Sequence, residues 1–144
     1  MTQEEKKRWQ YRFDNFSRAY FLLREAAQRD EAGELDQLGK EGMTQRFKVC
    51  MELAWKTMKD YLESQNIIFP QITPRAVLKE SVATKLISSG EDWMSALDAR
   101  NKMSHIYDFR KFEDVMEKIR TTYLNCLGEL HEKLSGKHNH PGDD

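Results

Sequence analysis

Hydrophobic positions recur every three or four residues along most of the 144-residue chain. Over residues 3–32, Trp9, Phe13, Phe16, Tyr20, Leu23 and Ala27 form one stripe, with Arg12, Asp14, Arg18, Arg24 and Glu25 between them. That spacing predicts a long helix with one face in a core. Gly33, Gly39 and Gly42 then predict a turn across residues 33–42. A second helix is predicted over 43–64, where Phe47, Cys50, Ala54, Met58 and Tyr61 make a stripe that Met51, Trp55 and Leu62 widen. So broad an apolar face suits contact with several neighbours, as in a bundle. Pro70 and Pro74 break the chain after it, and Thr73-Pro74 has the chemistry of a helix start, an N-cap followed by proline at the first helical position.

A short third helix is predicted over 74–87, and a fourth over 91–106 after Ser88-Ser89-Gly90, with Ser89 and Asp92 resembling a capping box. The last helix is predicted over 111–134, on the stripe Phe112, Met116, Ile119, Tyr123, Cys126, Leu130 and Leu134, with Ser135-Gly136 as its stop. Residues 136–144 read as a polar, disordered tail that contains His138 and His140. The expectation is an all-α, antiparallel up-and-down bundle of about five helices in a single domain, residues 1–135, with a four-helix core and one short helix.

Composition agrees with this. Seven glycines and three prolines sit among abundant helix formers. Lys and Arg total 23 against 24 for Asp and Glu, which excludes an extended basic surface but leaves room for a local one. No apolar run approaches the ~20 residues that span a bilayer, so no membrane association is expected. Cys50 and Cys126 lie far apart on core stripes, with no second ligand at metal spacing, and read as buried reduced thiols. With no secretory leader read at the start of the chain, the expected location is the cytoplasm. No metal or cofactor is expected.

The segment from Asp98 to Asp108 carries the chemistry. Placed on one helix at about 100° per residue, Arg100, Ser104, Asp108, Asn101 and His105 share an arc of roughly 140°, with Met103, Ile106 and Ala99 opposite. Arginine can clamp a phosphate with its planar fork, and histidine can exchange a proton near neutral pH. Together they suit a phosphodiester or a nucleotide. One histidine cannot be both acid and base in one step, so cleavage chemistry would need a second copy across a dimer axis. Elsewhere, Trp55 reads as packing and Trp93 as cover for a dimer interface. His131 reads as a favourable residue near a helix C-terminus. No Gly-rich phosphate loop and no Gly-Ser pair with paired aspartates is present, so the chain is not itself a nucleotidyltransferase.

Arg100-Asn101, His105 and Tyr107 resemble the signature of the HEPN superfamily, an arginine followed four to six residues later by histidine. Longer stretches resemble the nucleotidyltransferase substrate-binding protein family: Arg46-Phe47 with Glu52 to Leu62, Thr73 to Glu80, Trp93-Met94 through Asp108, and Arg12-Phe13 with Asn15-Phe16. The resemblance covers about residues 8–130. It implies a five-helix bundle, usually dimeric, that pairs with a minimal nucleotidyltransferase and supplies nucleotide or substrate binding. In that role the chain is non-catalytic or conditionally catalytic, with Asn101, Ser104, Tyr107 and Asp108 as binding residues. The alternative it implies is a metal-independent ribonuclease toxin of a toxin–antitoxin pair. There Arg100 and His105 are the catalytic pair, RNA binds at the dimer cleft, and adenylylation of Tyr107 by the partner silences the enzyme. Family members often continue with an acidic residue after the Tyr-Asp pair, where this chain has Phe109-Arg110-Lys111.

Overall fold

The helix ends are set by local chemistry. In the computed structural model, which describes residues 3–106 and 108–139, the elements are α1 (Gln3–Glu31), α2 (Gln37–Ser64), α3 (Pro74–Ala83), α4 (Gly90–Lys102), a 3-10 turn (Met103–His105), α5 (Phe109–Lys118), a π turn (Ile119–Tyr123) and α6 (Leu124–Asn139). Gly33 ends α1 at φ 74°, with its N–H on Asp30 O and the Glu34 N–H on Arg29 O. This is a Schellman motif, where glycine takes the left-handed position without steric cost. Asn66 and Lys85 hold the equivalent positions after α2 and α3, at φ 69° and 64°.

Thr73 caps α3 as its sequence predicts, accepting from the Ala76 N–H at 3.1 Å. Several expected boundaries move. α3 stops at Ala83, four residues short of the expected 87, where Lys85 turns left-handed at φ 64°. α2 starts six residues earlier than its stripe, because the Asp36 carboxylate accepts the Gly39 N–H at 2.7 Å and caps the helix there. Gly39 and Gly42 therefore lie inside α2 and make no turn. Ser89 forms no capping box: its backbone is left-handed and its side chain makes no cap bond. Gly136 does not stop the last helix. α6 runs to Asn139 because His138 is held by Asp14 at 3.1 Å and packs on Trp9 and Phe13. The tail beyond Asn139 lies outside the described residues.

The side-chain pairings give the topology. Arg12–Asp60 and Arg46–Leu22 O run α2 antiparallel to α1. Ser17–His131 and Arg120–Asp30 run the last rod antiparallel to α1. Arg100–Glu52 and Lys48–Ser104 run α4 antiparallel to α2, and Ser88–Glu129 with Ser95–Tyr123 run α4 antiparallel to the last rod. Each neighbour in the ring α1, α2, α4 and α5–α6 is thus antiparallel, an up-and-down four-helix core with α3 packed on α2 and α4. The protein is an all-α bundle, and among the described residues it has no strand. Nor, among those residues, is any helix long and apolar enough to cross a membrane.

The stripes meet at the centre. Trp9, Phe16 and Leu23 of α1, Phe47, Cys50, Ala54 and Met58 of α2, and Met116, Leu127, Leu130 and Leu134 of the last rod are all fully enclosed. Trp93 joins them at 1% exposure, which removes it from any interface role: α4 packs with that side toward the core. Both cysteines are buried and reduced. Burial pushes the Cys50 thiol far up, and burial with nearby Asp92 and Glu129 pushes Cys126 up to about 11. His131 is mid-helix, since α6 continues past it, and is enclosed by rings. It stacks on Phe13 at 5.3 Å and Tyr20 at 5.0 Å and hydrogen-bonds Ser17 at 2.8 Å.

Candidate functional site: a cationic face between two helices

The motif does not lie on one helix. α4 ends at Lys102, Met103–His105 form a 3-10 turn, and Ile106 is extended at ψ 105°. The cause is a new helix start: the Asp108 carboxylate accepts the N–H groups of Arg110, at 2.8 Å, and Lys111, and so caps α5. Arg100 and Asn101 thus sit on the last turn of α4, Ser104 and His105 on the 3-10 turn, and Asp108 at the next element. Arg110 and Lys111 are exposed on the first turn of α5. Tyr107 lies outside the described residues. A recess of about 370 Å³ opens beside the turn, lined by Met103, Ile106, Phe109 and Phe112 from this segment and by Glu41 and Thr44 from α2.

What Arg100 meets is α2. Lys48, Glu52 and Lys56 recur at four-residue spacing, which places them along one face of that helix. Arg100 donates through Nη2 to Glu52 Oε2 and through Nη1 to Asn101 Oδ1 at 3.0 Å. Lys56 Nζ lies 3.1 Å from Glu52 Oε1, and Trp55 Nε1 donates to Oε2 at 3.1 Å. Lys48 Nζ reaches Ser104 Oγ at 3.5 Å. Arg100 and Glu52 are each about one-third exposed, so the pair is open to solvent. Burial alone would raise the Glu52 carboxyl. The hydrogen bonds from Trp55 and Lys56 and the charges of Arg100 and Lys56 outweigh it, and the group is held below the usual carboxylate range.

Two cations, Arg100 and Lys56, therefore contact one carboxylate, and Lys48 sits one turn along α2 against Ser104. His105 is exposed and makes no hydrogen bond among the described residues. The arrangement can hold a multiply charged anion, with the Arg100 fork as the directional element and the lysines as point charges. Among the described residues no group of three or more His, Cys, Asp or Glu is placed to hold a metal ion. Another groove, about 720 Å³, opens on α4 away from this face, between α3 and Tyr123, whose hydroxyl shares a 2.7 Å hydrogen bond with Ser95.

A family model described as nucleotidyltransferase substrate binding protein like matches residues 11–136. The chain belongs to that family. The match takes in the four-helix core from residue 11 to residue 136 and both walls of the cationic face, from α2 and from the end of α4. No curated protein matches the chain. Within this substrate-binding family fold, the structure brings Arg100 and Asn101 together and puts Ser104 against Lys48. It assigns Asp108 to a helix cap and leaves His105 at the rim. The α2 residues Lys48, Glu52 and Lys56 escape motif reading. Their signal in the sequence is the four-residue recurrence of charge beside the α2 apolar stripe, which has no evident target until α4 is packed against it.

Proposed function

We propose that the protein is the helical-bundle subunit of a two-component nucleotidyltransferase, and that it presents the anionic part of the substrate on the face between α2 and α4. The observation that carries this is the meeting of Arg100 from α4 and Lys56 from α2 at the Glu52 carboxylate, with Lys48 one turn along α2 against Ser104. A carboxylate on a core-spanning helix already fills the arginine fork, so the site is built to receive an oxyanion of comparable geometry. A bundle with such a face binds and orients. The bond-making chemistry belongs to the partner, as the family description implies.

The test is co-expression with a minimal nucleotidyltransferase from the same genome, followed by purification and titration with ATP and pyrophosphate. A stable complex whose anion affinity falls about tenfold or more in Arg100→Ala supports the reading. A chain that purifies without the nucleotidyltransferase, and binds neither anion, overturns it. Expression of the chain alone with intact cellular RNA, unchanged by His105→Ala, is the expected result for a non-ribonuclease.

A further inference from the structure

A second surface lies directly beside the cationic face. Between the antiparallel helices α1 and α2 runs a groove of about 420 Å³. Its floor is apolar: Ala19 and Leu22 from α1, Val49 and Leu53 from α2. Leu22 and Val49, on facing walls of the groove, are each more than two-fifths exposed. The charged residues of its lining are both cations, Arg18 and Arg46. Arg46 is pinned across the groove by donating to Leu22 O at 2.8 Å, which fixes one positive rim in place.

Val49 and Leu53 each follow a residue of the cationic face, Lys48 and Glu52, by one position, about 100° around α2. The groove and the anion site are therefore adjacent stripes of one helix. A body seated in the groove lies against the anion site.

We infer that the α1–α2 groove is the docking surface for the nucleotidyltransferase, and that it takes an acidic amphipathic helix of that partner. This rests on the two-component reading above and adds the place and chemistry of the contact. The apolar floor asks for aliphatic or aromatic anchors at helical spacing. The arginine rims ask for carboxylates beside those anchors. A second copy of this chain fits poorly, since a two-fold contact centred on the groove sets Arg18 and Arg46 of one copy against those of the other. Seating the partner here puts it beside the face that carries Arg100.

The experiment pairs the full chain with the co-expressed nucleotidyltransferase and measures affinity at two salt concentrations. Val49→Asp is the main variant, because its side chain is exposed and the change leaves the core alone. Arg18→Glu tests the rim, and Ile68→Asp, at an exposed position outside the groove, is the control. The expected result is at least about tenfold weaker pairing for V49D and R18E, none for I68D, and pairing that weakens as salt rises. Affinity for pyrophosphate in the isolated chain stays unchanged in all three. Equal pairing by wild type and V49D overturns the docking site while leaving the two-component reading intact. No pairing by wild type overturns that reading itself. A drop in the mass of the isolated chain on V49D, with pairing unaffected, overturns the inference by assigning the groove to a second copy.

Discussion

Glu52→Gln is the substitution that most directly asks what the cationic face is for. The carboxylate sits against Arg100 and Lys56 and competes with any incoming anion for both. Two unit charges about 4 Å apart at an effective dielectric near 20 interact by about 4 kcal/mol. With Arg100 and Glu52 each about one-third exposed, solvent screening leaves on the order of 1 kcal/mol. Removing the charge while keeping the shape should therefore strengthen pyrophosphate binding by about fivefold at low salt. The gain should shrink as ionic strength shortens the screening length. Thermal stability should fall slightly, by up to about 1 kcal/mol, because the Lys56 and Arg100 contacts weaken. Isothermal titration of wild type and E52Q with pyrophosphate at two salt concentrations reads both effects. The pH sign is fixed by the lowered carboxyl: its contribution to stability is present above the unfolded value and is lost as pH falls through the lower folded value. Weaker or unchanged binding by E52Q would refute the reasoning, and would make Glu52 a support for Arg100 instead of its competitor.

Four further outcomes follow from the core and the helices. Burial first, and then the Arg24 charge, lower His131, so its neutral form is the folded one. The stability this gives is complete above the unfolded value near 6.5 and drains away as pH falls below it, and His131→Phe should flatten the melting temperature between about pH 7 and 5. Gly128→Ala should destabilise by about 1–3 kcal/mol, since a Cβ would meet Tyr20 Oη at 2.8 Å and Tyr20 is itself stacked on His131. Gly136→Ala, inside α6 with open space around it, should stabilise by about 0.5–1 kcal/mol, and a pair of thermal melts that moved in the same direction would contradict one of the two. Neither thiol should react with a maleimide in the folded protein near neutral pH, because burial keeps both Cys50 and Cys126 protonated, so prompt labelling of Cys50 before unfolding would be inconsistent with the core as described.

The stripes were legible because burial acts on every turn of a long helix. Phe47, Cys50, Ala54, Met58 and Tyr61 are enclosed as their spacing requires. So was Thr73-Pro74, where two neighbouring residues settle a helix start. Helix ends that depend on a competing cap were harder. Asp36 recruits Gly39 into α2 against the usual meaning of glycine, and Asp108 breaks the motif helix by claiming Arg110 and Lys111. A helical wheel cannot register that competition, so it set Asp108 beside Arg100. Trp93 turns inward through the packing of α4, which a wheel of one segment does not contain. The other half of the candidate site was illegible for a different reason. Glu52 and Arg100 are 48 residues apart, and only packing makes them partners. The same holds for His131, whose setting among Phe13, Tyr20 and Ser17 comes from α1.

The π turn at Ile119–Tyr123 has a consequence for how this fold can vary. Leu124 N–H reaches back five residues to Ile119 O, so the rod holds one more residue there than an α-helix of the same length would. α5, with Phe112 beside the motif recess, and α6, with Leu127, Leu130 and Leu134 against the core, therefore keep separate registers on a single rod. Losing one residue between them would restore the α ladder and leave the α6 leucines close to their present angle, because one π turn replaces one α turn plus a residue. The turn thus absorbs a one-residue difference in length between α5 and α6 without turning either apolar face out of the core.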